Sequence, residues 1–259
     1  MKLNFGRIAL IVSALLPVVF LVGALGVKFG LWPWTIGLFM TPLYLVAAIL
    51  VALVAVIVSL IRKPRQGVGA ALGALAIPLL VVGGFVGLQA SRGAVPPIHD
   101  VTTNIADAPR FTPATLAARQ AFGANPVGEM TAKLGSTPAY ANNAALKDKT
   151  LGEVGAAAYP ALKPLSTAAD PAATYAAALA EAQAQGWKIT TQDPAAGVVE
   201  AVAETALFGF KDDVTIRVRP SGAGSVVDVR STSRVGLSDM GTNAKRITGY
   251  LAALDANVP

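Results

Sequence analysis

Three stretches of the chain, Ile8 to Val27, Ile36 to Ile61 and Gly67 to Gln89, each run for about 20 residues or more without one ionisable side chain. A helix of that length covers the hydrocarbon core of a bilayer. Helical pairing also leaves no backbone N–H or C=O unsatisfied in lipid. We therefore expect three transmembrane helices within residues 1–90, at about 8–27, 36–61 and 67–89. Lys2 and Arg7 could also open a secretory signal, but the apolar run is long for one and lacks a clear small-x-small cleavage site.

Charge orients these spans. Residues 1–90 hold six bases (Lys2, Arg7, Lys28, Arg62, Lys63 and Arg65) and no acid, so of 21 bases and 15 acids the remainder carries 15 of each. Lys and Arg in short loops stay on the cytoplasmic side. The N-terminus and the IRKPRQ connection are the basic ones, whereas KFGLWPW has only Lys28. This predicts a membrane protein with its N-terminus cytoplasmic, Trp32 and Trp34 in the outer interfacial belt, and everything after Gln89 extracytoplasmic. The spans contain no Asp, Glu, Lys, Arg or His, which argues against an ion or proton pathway. Pro17, Pro42 and Pro78 mark places to bend. GAALG (69–73) and GFVG (84–87) space small residues for close helix contact, within the bundle or with another chain.

A balanced C-terminal part gives no electrostatic reason to expect nucleic acid. With no cysteine and one histidine, thiolate chemistry and His- or Cys-rich zinc sites are excluded, and no spaced Asp/Asn calcium loop is present. We expect no metal and no cofactor. Residues 91–165, rich in Ala, Pro and Thr, read as a strap or linker with one short helix at Pro113 to Phe122, capped by Thr112. Residues 166–259 read as an extracytoplasmic α/β domain. Asp170-Pro171 opens a helix running to Gln185. Alternation then predicts strands at Trp187–Gln192, Val198–Thr205, Asp213–Arg219 and Ser225–Ser231. A final helix over about Asn243–Asp255 places Ile247, Tyr250, Leu251 and Leu254 on one stripe. The fold class is α+β: an α-β-β-β-β-α antiparallel sheet with its helices on one face, behind a three-helix anchor. Facing apolar residues across the third hairpin pair Val218 with Val227 and Arg217 with Asp228, leaving Gly222-Ala223 as a two-residue turn.

The blocks PPIHDVTTNIADAPRF (96–111), GWKITTQDP (186–194), VEAVAETALFGFKDDVTIRV (199–218) and VRSTSRVGLSDMGTNAKRI (229–247) resemble the domain of unknown function 1499 family over about residues 96–255. The three-helix N-terminus resembles a membrane-anchored bacterial subgroup of it, and that resemblance implies the bacterial inner membrane with the C-terminal domain periplasmic. The resemblance implies a fold and brings no established activity.

The stretch RSTSRVGLSDMGTNAKR (230–246) joins the last strand to the last helix, whose free N–H groups and dipole favour an anion. Arg230, Ser231, Ser233, Arg234, Asp239, Asn243 and Arg246 are the ligand-binding candidates, for an acidic lipid headgroup or phosphate. The competing reading is that Asp212, Asp213 or Asp239 neutralises these arginines. Asp212 and Asp213 point to opposite strand faces, so at most one enters any site. His99 and Asp100 are the catalytic candidates, lacking a locatable hydroxyl nucleophile. The leading reading is thus a non-catalytic envelope protein of uncharacterised process, its partners the lipid bilayer and an acidic lipid or membrane protein. The alternative is an enzyme acting on lipid or envelope polymer through His99.

Overall fold

The structure is a computed structural model that describes residues 4–91 and 95–258. It divides into two units, Met1–Gly93 with Thr205–Gly209, and Ala94–Glu204 with Phe210–Pro259.

The first unit holds three helical segments long and apolar enough to cross a membrane: Phe5–Lys28, Trp34–Ile61 and Val68–Ser91. The first is broken into α1 (Phe5–Ala14) and α2 (Leu16–Lys28), because Pro17 has no N–H for the carbonyl one turn back. Asn4 caps α1 by accepting from the Arg7 N–H at 3.0 Å. α3 (Trp34–Ile61) and α4 (Val68–Ser91) keep Pro42 and Pro78 inside continuous helix. The bundle packs on small residues: Ala9, Ala52, Ala55, Ala71 and Ala74 are fully buried. A Cβ on Gly6 would lie 2.3 Å from the Gly67 carbonyl oxygen, and one on Gly23 would lie 2.8 Å from that of Gly37. Close approach therefore occurs at these glycines. Of the expected spacing motifs, GAALG meets the bundle through fully buried Ala71 and through Gly73, whose Cβ would stand 3.6 Å from Leu10 Cδ1, whereas Gly69, Gly83, Gly84 and Gly87 have open space where a Cβ would sit.

In the second unit, four main strands, β3 (Lys188–Asp193), β4 (Val198–Glu204), β5 (Lys211–Ser221) and β6 (Gly224–Ser233), form an antiparallel meander. The predicted register holds, with Val218 opposite Val227, Arg217 opposite Asp228, and Ser221–Gly224 closing the turn around Gly222 at φ 58°. α7 (Pro171–Ala184) and α8 (Thr242–Asn257) cover the apolar face. Ile247, Tyr250 and Leu254 are fully buried there, each stabilising by about 2 kcal/mol. Trp187 stacks on Tyr250 at 5.1 Å.

The strand count needs correction. β1 (Asp100–Thr102) and β2 (Leu165–Thr167) both pair with the outer edge of β6, making six strands in all. Three residues are too few to show alternation, yet a bare edge carries N–H and C=O groups that must be satisfied. Between the two short strands Thr103 completes the edge: its N–H donates to the Val229 carbonyl, and its Oγ1 accepts from the Val229 N–H, both at 2.9 Å. The Ala/Pro/Thr-rich segment contributes two helices, α5 (Pro113–Phe122) and α6 (Leu151–Ala158). α6 starts at a capping box in which the Glu153 carboxylate accepts from the Thr150 N–H and the Thr150 hydroxyl accepts from the Glu153 N–H.

Candidate functional site

The two-residue period of β5 and β6 places Asp213, Thr215 and Arg217 beside Asp228, Arg230 and Thr232 on the face away from α7 and α8. A charged sheet face is normally left to water. Here α5 and its flanking segment bury it, using a polar stripe of Thr112, Thr115 and Arg119. The Glu200 carboxylate, fully buried, accepts from the Thr112 N–H and Oγ1 at 2.6 Å, Thr115 Oγ1 at 2.7 Å and Thr191 Oγ1 at 2.8 Å. Arg119, 3% exposed, reaches Asp213 at 2.5 Å and the carbonyls of Asn125, Thr232 and Ser233.

Each arginine of the 230–246 stretch is paired with a carboxylate, that of Arg234 being shared with Arg119. Arg230 forms a bidentate pair with Asp100 at 2.9 and 2.7 Å and also donates to the Gly128 carbonyl, while Thr232 Oγ1 donates to the same carboxylate. Arg234 pairs bidentately with Asp213 at 2.9 and 2.6 Å. Arg246 meets Asp212 at 2.5 Å and donates to Ser231 Oγ and Asn243 Oδ1. Asp212 and Asp213 thus serve opposite faces, as strand geometry requires. At the next row Asp228, fully buried, takes both Arg217 and Arg219, and Arg217 also bonds Asp107, holding that exposed carboxyl below the usual range.

The start of α8 is likewise occupied from within. Asp239 accepts from the Gly241 and Asn243 N–H groups at 2.8 and 2.9 Å, the position an external anion would take. Burial raises its pKa, with these two amides pulling the other way. Asn243, buried, donates to the His99 carbonyl and Ser233 Oγ and accepts from Ser231 Oγ at 2.6 Å. Met240 at φ 54° and Gly241 at φ 82° make the left-handed turn that feeds this arrangement. The seven candidates therefore do not form one site: Ser231, Ser233, Asp239, Asn243 and Arg246 are linked with one another and with Asp212 on the α8 side, whereas Arg230 and Arg234 bond Asp100 and Asp213 on the opposite face of the sheet.

His99 and Asp100 have separate partners. Nδ1 of His99 lies 3.4 Å from the Leu237 carbonyl, and the ring bonds no hydroxyl among the described residues. These residues hold no cluster of three metal-binding side chains.

A second feature lies elsewhere in the unit. Between β1 and α6 opens a cleft of about 330 Å³, lined mainly by apolar groups, among them Val101, Ile105, Met130, Leu151 and Leu162. Tyr159 and exposed Lys163 also line it. The Tyr159 hydroxyl is buried without a hydrogen-bond partner, and desolvation followed by the charge of Asp239 pushes its pKa up to about 12. Sequence reasoning missed Arg119, Glu200, Tyr159 and Lys163. For two elements a signal was present: Thr112, Thr115 and Arg119 recur at helical spacing, and TLGE at 150–153 is a capping-box pattern. Nothing local announces the cleft.

No curated protein matches the chain. Residues 100–254 match the family model described as Protein of unknown function (DUF1499), and the chain belongs to that family.

Proposed function

We propose that the protein is a non-catalytic, membrane-anchored envelope module whose α/β unit lies outside the cytoplasm and binds an anionic ligand or a neighbouring membrane protein. One observation carries this reading. Among the described residues of that unit every arginine except Arg110 is engaged by a carboxylate, while its lysines form no ion pair. Fully paired, hydrogen-bonded charges hold a fold and offer little to a reacting substrate. An external anion at Arg234 would have to displace Asp213, so the 230–246 stretch serves as frame and the uncompensated lysines supply attraction. The charge pattern of the spans supports the extracytoplasmic placement.

The test is capture of bound lipid. The full chain and its His99→Ala variant are extracted from cells in native nanodiscs, and the retained lipids are identified by mass spectrometry. The expected result is the same enriched anionic species, chemically unaltered, with both proteins. A modified species that accompanies the wild type and vanishes with His99→Ala would establish an enzyme instead.

A further inference from the structure

We propose that the cleft between β1 and α6 is the binding site, and that it takes a single-chain anionic amphiphile, with the hydrocarbon chain inside and the anionic group at Lys163. This rests on the binding-module reading and assigns its site and ligand class. A volume of about 330 Å³ falls at the small end of ligand pockets, and the lining follows their usual plan of an apolar wall with few polar groups. The wall is shaped by small residues: Gly155 and Ala156 line it, and a Cβ on Gly155 would meet nothing within 4 Å. Those positions of α6 leave room that larger side chains would fill.

Two polar groups in the lining lack partners. Lys163 is exposed and forms no ion pair among the described residues, in a unit whose carboxylates capture nearly all its guanidinium groups. Tyr159 lines the cleft, and its hydroxyl is buried and unpartnered, 3.6 Å from where a Cβ on Gly241, just before α8, would stand. A buried hydroxyl left without a partner is costly, and a ligand oxygen or a ligand-bound water relieves it. A neutral oil would leave Lys163 unused, and a bare phosphate would leave the apolar wall wet. An amphiphile with a carboxylate or phosphate head satisfies both.

The experiment uses the full chain in phosphatidylcholine nanodiscs. A lysophosphatidate with a diazirine in its acyl chain is photo-crosslinked, and adducts are mapped by mass spectrometry. The expected adducts fall in residues 101–105 and 151–163. A monoacylglycerol of the same diazirine-bearing chain, which has no anionic group, should label these peptides about tenfold less, the effect of losing one charge contact. Competition by dodecanoate or by inorganic phosphate separates the sources of the anion: dodecanoate should displace the label, and phosphate alone should not. Lys163→Glu should reduce labelling about tenfold, again one charge contact. Gly155→Leu should abolish it with the melting temperature unchanged or raised, since it fills open space and improves helix propensity. Labelling confined to the spans, or indifferent to both variants, overturns the assignment. Adducts at residues 230–246 would overturn the cleft and leave the binding module standing. Conversion of the cleft-bound lipid, lost in His99→Ala, would overturn the non-catalytic reading and leave the cleft standing.

Discussion

Replacing Arg230 with glutamine separates the two roles of the 230–246 stretch. Arg230 and Asp100 are 4% and 2% exposed, and the arginine makes two charge-assisted bonds to the carboxylate. Without it Asp100 retains, among the described residues, only Thr232 Oγ1 as a side-chain donor. Breaking one partner of a buried pair costs about 3–5 kcal/mol, because the surviving charge stays desolvated. For a unit of this size, each kcal/mol lowers the melting temperature by about 2–4 °C, so Arg230→Gln should lower it by roughly 6–20 °C. Arg234→Gln should cost far less, about 1 kcal/mol or 2–4 °C, because Asp213 keeps Arg119 at 2.5 Å. Trp187 stacks within the core, so a Trp32→Phe, Trp34→Phe background of the full chain reports this unit by fluorescence. Adding Asp100→Asn to Arg230→Gln should recover part of the loss, since the stranded charge is gone. Equal shifts for the two arginine variants, or no recovery in the double variant, would refute the reasoning.

Three further outcomes are expected. Glu200→Ala should destabilise the unit by about 3 kcal/mol, the scale of several bonds to a buried charge, and should speed amide exchange in α5 more than in α8. Asp239 titrates above the usual carboxylate range in the folded state, so the native protein takes up its proton first as pH falls, and stability falls as pH climbs through the folded value. Relative to wild type, Asp239→Asn should therefore gain stability in urea titrations as pH rises from about 4, and the opposite slope would contradict the burial argument. A reporter active only outside the cytoplasm should work after Pro259 and fail at Lys63, because five bases lie on the proposed inner side; the reverse pattern would invert the topology.

The spans, the four long strands, the hairpin register and the helices at Pro113–Phe122, Pro171–Ala184 and Thr242–Asn257 were legible in the sequence because each rests on a local rule. Uncharged length, period-two alternation, a capping Asp before Pro and a glycine turn all act within a few residues. β1 and β2 were not legible, since three-residue strands exist only where an edge of β6 awaits them. The same holds for the charged face. Alternation shows that Asp213, Asp228 and Arg230 share a side, and suggests that the side is wet. Only tertiary structure brings α5 across it and matches Arg230 with Asp100, 130 residues away. Pairing of this kind depends on distance in space, which no periodicity encodes. It decides that the most conspicuous basic stretch of the sequence neutralises the protein's own carboxylates, and that the unpaired lysine and tyrosine stand beside a cleft made from the segment that read as a linker.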